Sequence, residues 1–476
     1  MYNKQMHEVI VVGGGVIGCS IAYELAKKGQ RVILLERGRI GQEATQAAAG
    51  MLGAQSEMED VGPLFQWSRI SRSLFPRLSE ELKEVTGIDM GLNREGLLHI
   101  ALNDEQRHEL IRRERLHSSV RARAEWLSAK EAAQLEPQLG EDLLGALYLP
   151  DDGQVDAPLL GQALAKAASI RGVELREYMQ VLGLLTEGEK VLGVMTSDGP
   201  IYGNQVIVAA GTWSSQLLSG IGVELPMYPV KGECFSVLER SPRLRKTLFT
   251  HGCYIVPKAG GRLVVGATMV PGSYDRKVTV AGLAQLMERA AGLVPSIAEA
   301  EWEKAWTGLR PQTADGLPYI GAIPGIEGLY AATGHYRNGI LLSPITGRVM
   351  ADLVSGGSGA EIFSSDEQAA QKETILGGSG GRDGAESRHG STGDRAEAES
   401  RHEGSEDRAV MESRHGGTGE RVGAGSGHEW SGDQAGTEAT MEVWKAFCPS
   451  RRLVTDQLLG EKRHSEKELI TIEIAH

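Results

Sequence analysis

HEVIVVGGGVIGCSIAYELAKKGQRVILLE, residues 7–36, is the stretch that decides the fold. It opens as a β-branched apolar run, the pattern of a parallel strand buried on both faces. Residues 18–29 carry apolar side chains at helical spacing as far as Gly29, and residues 31–36 form the next strand. Strand, helix, strand in this order is a βαβ unit. Gly13, Gly15 and Gly18 hold the three places of G-x-G-x-x-G at the strand-to-helix turn. The first permits the tight turn, the second lets backbone N–H groups approach a pyrophosphate, and the third allows close helix packing. Glu36, at the end of the second strand, is placed to accept hydrogen bonds from ribose hydroxyls. The stretch therefore reads as a dinucleotide site.

The loop does not separate FAD from NAD. The following segment, EATQAAAGMLGAQ at 43–55, does: small residues let backbone approach a broad flat ring, whereas a plain NAD fold proceeds to another βα unit. The bland reading of the same run is an Ala-rich helix packed in the core. Further along, IYGNQVIVAAG at 201–211 reads as another buried strand ending in Gly, residues 100–136 as charged and mostly helical, and 225–270 as short strands, with KAGGR marking a hairpin. From Ser355 to about Thr440 the chain turns to Gly, Ser, Glu and Arg, with ESRH repeated from Glu386, Glu399 and Glu412; a segment this polar is expected to be disordered. Histidine-rich metal capture is the sharper reading of those repeats, but the spacing does not single out a ligand set, and no metal is expected. Trp444 and Phe447 restore apolar character and are expected to dock on the folded body.

A net charge of −13 argues against nucleic acid and anionic membrane as main partners. No apolar run approaches the roughly 18 residues of a spanning helix. Cys19, Cys234, Cys253 and Cys448 show no paired spacing and no leader precedes the first strand, so a cytoplasmic location is expected.

Taken together, GGGVIG, GQEATQAAAGMLG, WTGLRPQTADGLPYIG and GHYRNGILLSPITG resemble the D-amino-acid oxidase superfamily of flavoproteins, and within it the glycine-oxidising branch of thiamine biosynthesis. The likeness covers roughly residues 6–354 and resumes at 442–453, where FCPSRRL is similar to the close of the family. It implies an α/β fold, α+β overall, in which a Rossmann-type FAD-binding domain (1–90, 145–225, 306–354) is interleaved with a substrate domain of antiparallel or mixed sheet (91–144, 226–305), followed by a low-complexity insertion (355–440) and a partly docked tail (441–476). It implies oxidation of a small amine to an imine, dioxygen reduced to hydrogen peroxide, handover of the product to a thiazole synthase, and a homo-oligomer, a tetramer. FAD is expected to be noncovalent, since no cysteine lies between 254 and 447, where the sarcosine-oxidase branch ties its flavin.

Carried over residue by residue, the resemblance implies FAD contacts at Gly13, Gly15, Val16, Ile17, Gly18, Glu36, Arg37, Ala44, Thr45, Ala49, Gly50, Met51 and Val181, and along His335, Tyr336, Arg337, Asn338, Gly339, Ile340 and Leu341. It implies substrate contacts at Arg310, Arg337, Tyr254 and Met269. A guanidinium matches a substrate carboxylate with two parallel charge-assisted hydrogen bonds, the part expected of Arg310. Tyr254 could add an O–H and an apolar wall, and Met269 could limit the volume near the α-carbon. The chain departs from the branch at Gly252, where a histidine is usual, with His251 one place earlier. No carboxylate or histidine in these motifs reads as a general base, which suits hydride transfer from a positioned α C–H. In GHYRNGILLSPITG, Gly334–Gly339 are expected to turn into a helix opened by Pro344 in its first turn, its N-terminus facing the flavin edge. Two other readings share these motifs: an oxidase or dehydrogenase for sarcosine or D-amino acids, and a non-catalytic flavin-binding scaffold.

Overall fold

The computed structural model describes residues 7–58, 60–239, 244–358 and 446–449. His7–Val12 pairs in parallel with Val32–Leu35 on one side and with Gly199–Val208 on the other. Glu174–Arg176 extends the parallel core beyond Val32–Leu35, and Leu329–Thr333 extends it beyond Gly199–Val208. Tyr319–Ala322 closes one edge antiparallel, and the meander Val181–Glu187, Lys190–Thr196, Gly199–Val208 completes eight strands. The helix Val16–Lys27 covers this sheet, packed between Ala157–Ile170 and Gly339–Val354. The crossing with the last helix is close because Gly347 has no side chain: a Cβ there would lie 2.9 Å from the Ser20 carbonyl oxygen.

The second sheet has nine strands. Its centre is the long antiparallel pair Met227–Leu238 and Glu301–Thr313, in register from Met227 opposite Thr313 to Leu238 opposite Glu301. Arg262–Gly266, Cys253–Pro257, Thr247–Thr250, Leu97–Ala101, Gly145–Leu149 and Glu125–Ser128 follow outward. Thr247–Thr250 runs parallel to Leu97–Ala101, so the sheet is mixed. KAGGR is the turn of an antiparallel pair, as its composition indicates. The helices Asp104–Ser119 and Ala129–Leu135 account for the charged helical region.

Two borders read from the sequence move. Position 306 falls inside Glu301–Thr313, whose partner along its length is the central strand of the second sheet. Gly145–Leu149 sits between Leu97–Ala101 and Glu125–Ser128 in that same sheet, and not in the first. Patterning identifies a strand but not its ladder partner, which is a tertiary choice.

Phe447 is fully buried, stacks on Trp67 at 4.2 Å between ring centroids, and accepts a hydrogen bond at its carbonyl from the Ile320 N–H (2.9 Å). Trp444 and the repeats lie outside the described residues. Among the described residues no helix is long and apolar enough to cross a membrane.

Candidate active site

The site begins where His7–Val12 ends. Gly13 has φ +110°, and a Cβ there would lie 2.4 Å from the Ala209 carbonyl oxygen, so only glycine lets the turn pass beneath the neighbouring strand. Gly18 faces inward instead: its Cβ would stand 1.9 Å from the Gly13 carbonyl oxygen. It shapes the loop from below and does not line the cleft. The helix Val16–Lys27 is preceded by Gly15, which has no side chain with which to cap it. The Thr45 hydroxyl accepts from the Val16 N–H (2.9 Å), fixing the small-residue segment against the glycine loop. Glu36 accepts from the Gly14 and Gly38 N–H groups (2.8 and 2.9 Å) and lines the same opening.

A cleft of about 640 Å³ runs from this loop between the two sheets. Gly13, Gly15, Val16, Ile17, Glu36, Arg37, Ala44, Thr45, Ala49, Gly50, Met51 and Val181 line it, with Tyr254, Arg310, His335, Tyr336, Arg337, Gly339 and Ile340. Asn338 immediately precedes the last helix and is not among the lining residues, and Leu341 is buried in the core, its carbonyl accepting from the Ser71 hydroxyl (2.6 Å). Met269 also falls outside the cleft. It is half exposed, and its thioether accepts from the Tyr336 hydroxyl (3.5 Å) at the rim.

The far end is built from one face of the second sheet. Directly opposed residues of an antiparallel pair share a face, which puts Val230 with Arg310, Gly232 with Gly308, and Cys234 with Trp306 and Gly266 on the same surface; Gly266 is also opposite Tyr254. The glycines form a floor without side chains. Against it lie Ala47, whose Cβ would be 2.5 Å from a Cβ on Gly308, and the Ala47 carbonyl, which accepts from the Trp306 indole N–H (3.1 Å). The Arg310 guanidinium lies over Gly232, where a Cβ would be 2.3 Å from Nη1.

Two of the three arginines in the cleft are paired with carboxylates, and Glu36 is held by backbone N–H groups. Arg37 donates to Glu43 (3.0 Å), which also accepts from Arg276, and the Arg37 cation stacks on Trp213 at 3.6 Å. Arg337 grips Glu57 with both Nε and Nη2, each at 2.8 Å. Arg310 has no carboxylate partner among the described residues and makes one long bond, Nη1 to the Thr268 carbonyl at 3.4 Å. The Tyr254 hydroxyl lies 3.5 Å from the Cys234 sulfur, and burial holds its phenol well above the usual range, so it remains an O–H donor. Burial likewise raises the Cys234 thiol. His335 bonds through Nε2 to the Thr346 hydroxyl (3.1 Å), and burial depresses it to about 3, so the ring is neutral.

The last helix corrects the expected place of Pro344. The helix spans Gly339–Val354, so Pro344 is in its interior, beyond the first turn. The missing N–H is offset locally, because the Ser343 hydroxyl donates to the Ile340 carbonyl (2.9 Å). The preceding turn passes through Tyr336 at φ +48°, whose N–H donates to the Pro311 carbonyl (3.0 Å). That bond ties the turn to the strand carrying Arg310. Neither this helix nor Val16–Lys27 is capped by the side chain of its own preceding residue, so two helix N-termini border one cleft, with Thr45 engaging the first N–H of Val16–Lys27. Together with the glycine loop and the small-residue wall they fit a dinucleotide bearing a flat ring.

Glu57, Trp213 and Gly232 line the cleft without having been singled out in the sequence. The strand ending AAG at 209–211 carried an overlooked signal. Parallel strands flanking the first one open a switch-point crevice at their carboxyl ends, where ligands bind.

Residues 8–353 match the family described as FAD dependent oxidoreductase. The glycine oxidase of Geobacillus kaustophilus is 48% identical over 350 residues, which cover 73% of this chain and 93% of that protein. A crystal structure of glycine oxidase from the same species has a TM-score of 0.73 at 47% identity, covering 74% of this chain and 95% of that one. The bifunctional protein ThiO/ThiG of Synechocystis sp. is 35% identical over 356 residues, 73% of this chain but 51% of that longer protein. The crystal structure of an iminodiacetate oxidase from Chelativorans sp. has a TM-score of 0.67 at 28% identity, covering 74% of this chain and 96% of that one.

Proposed function

This chain belongs to the FAD dependent oxidoreductase family, and from that premise we propose that it oxidises glycine and related small amines to the imine while dioxygen is reduced to hydrogen peroxide. The substrate C–N bond becomes C=N, and its two electrons and two protons leave in peroxide. The observation that carries the reading is Arg310, the one charged side chain lining the cleft that has neither a charged partner nor two backbone bonds among the described residues. A planar cation with free donors, set over a glycine floor, suits a substrate carboxylate. Tyr254 adds an O–H beside it.

The chemistry that FAD supplies when bound is acceptance of two electrons and reoxidation by dioxygen. The chain's own residues position the amine. Every candidate base in the cleft is engaged: Glu36 by backbone N–H groups, Glu43 and Glu57 by arginines, His335 by Thr346. That supports transfer of the α C–H as hydride from a held substrate, with no side chain abstracting a proton first. Product handover to a thiazole synthase, supported by the fused ThiO/ThiG relative, belongs to the same proposal, as do noncovalent FAD, a cytoplasmic location and a homo-oligomeric state.

Anaerobic titration of the purified holoenzyme with glycine tests the reading. Glycine is expected to bleach the flavin absorbance, and air to restore it with release of peroxide. Faster bleaching by sarcosine, D-alanine or D-proline would reassign the substrate, and a yellow protein that no small amine bleaches would overturn the enzymatic reading.

A further inference from the structure

Two arginines reach the substrate end of the cleft, but only one is available to an anion. Arg337 is clasped by Glu57 in a two-bond fork, both contacts at 2.8 Å, with its cation 5.6 Å from the centre of the Phe249 ring. The Glu57 side chain is 7% exposed. The segment that carries it is fixed from below: the Gln55 and Ser56 N–H groups donate to the fully buried Asp152 carboxylate, which also pairs with Arg72. Glu57 is thus held in place by a built scaffold. Counting Arg310, Arg337 and Glu57 together leaves one net positive charge, enough for one carboxylate.

We propose that Glu57 is a specificity-determining residue that restricts the site to amines bearing a single carboxylate, by occupying Arg337 and presenting negative charge to any second anionic group. The inference rests on Arg310 acting as the carboxylate clamp of the function proposed above. A substrate with two carboxylates must either displace Glu57 from Arg337 or lie beside a carboxylate, and both oppose binding through loss of a charge-assisted fork or like-charge repulsion. Removing the Glu57 charge frees a second guanidinium in the same cleft. The chemistry so created suits iminodiacetate, a glycine whose nitrogen carries a second carboxymethyl group, the compound named in the iminodiacetate oxidase that shares this fold.

The test compares full-chain holoenzyme, wild type, Glu57→Gln and Glu57→Gln/Arg337→Gln, with glycine and iminodiacetate as probes. The kcat/KM of iminodiacetate relative to glycine is expected to rise about tenfold or more in Glu57→Gln, the size of one charge-assisted hydrogen bond. The calorimetric Kd of iminodiacetate, measured without oxygen on holoenzyme whose flavin is already reduced, is expected to fall in parallel, the gain to shrink as salt is raised, and the double variant to return to the wild-type ratio. An unchanged ratio and Kd in Glu57→Gln, or a gain that survives in the double variant, would overturn the proposal. Glu57→Ser carries the same expectations if the glutamine variant does not retain FAD. Calorimetry needs no turnover, so it decides the matter even if glycine is not oxidised by the wild type, an outcome that counts against the proposed function and not against the charge pairing.

Discussion

Arg310→Leu tests the proposed carboxylate clamp. Leucine removes the cation without leaving an unpaired anion behind, since Arg310 has no carboxylate partner among the described residues and its one bond, to the Thr268 carbonyl, is long at 3.4 Å. The loss therefore falls on the substrate. A hydrogen bond to a charged group contributes about 1.5–3 kcal/mol, which at 1.4 kcal/mol per factor of ten corresponds to an increase of about 10- to 150-fold in the KM for glycine. The flavin should stay bound, because Arg310 lies at the end of the cleft away from the glycine loop. The assay is stopped-flow anaerobic flavin reduction across glycine concentrations, paired with glycine methyl ester, which lacks the carboxylate. The ester should react within about threefold of its wild-type rate at every concentration, since no charged bond is lost. Arg310→Lys should fall between the two, keeping charge but losing the fork. An unchanged glycine KM would refute the clamp, and an equal loss for glycine and ester would show that Arg310 acts only on the shape of the site.

Four further outcomes follow from the geometry. Gly232→Ala places a Cβ 2.3 Å from Arg310 Nη1 and should lower kcat/KM for glycine about tenfold or more by displacing the guanidinium, with flavin content unchanged. Gly18→Ala drives a Cβ to 1.9 Å from the Gly13 carbonyl oxygen and should yield protein purified largely without flavin, read from the ratio of absorbance at 450 to 280 nm. Phe447→Ala removes a fully buried ring from Trp67 and should destabilise the protein by roughly 3–5 kcal/mol in urea unfolding. His335, His99 and His117 are held neutral by burial, at about 3, 3 and 4, below the usual value of about 6.5. Unfolding raises each of them, so their stability contribution is complete above pH 6.5 and is lost as pH falls toward 4 and 3. Each adds up to about 1.4 kcal/mol per pH unit in that window, and His335→Gln should shallow the slope of unfolding free energy between pH 6 and 4. A slope identical to wild type would contradict the burial of a neutral ring.

What could be read from the chain was local. The glycine loop, its strand and its helix depend on neighbours within a few residues, and the turn after Gly334 on another short motif. Arg310 was legible only through the likeness of its GLRP setting. Glu57 was not, because its meaning lies in Arg337, 280 residues away, and no spacing rule connects the two. Gly232 and Gly308 look like ordinary strand glycines until register sets them opposite each other. Met269 lies at the rim, against the Tyr336 hydroxyl, and the sequence does not show on which side of the sheet edge the cleft opens. Pro344 reads as a helix opener by composition, yet a serine one residue earlier makes it tolerable in the interior.

The glycine floor beneath Arg310 also sets which substrates later variants can reach. A pocket lined by side chains can be enlarged by trimming one of them, but here the floor is already main chain, at Gly232 and Gly308. Single substitutions on it can only contract the space, and the first methyl collides with Arg310 or Ala47. Acceptance of bulkier amines must therefore arise in the walls or by bending the long Met227–Leu238 and Glu301–Thr313 pair, whose register also places Arg310, the proposed carboxylate clamp. Adaptation toward larger substrates is consequently steeper than adaptation toward smaller ones.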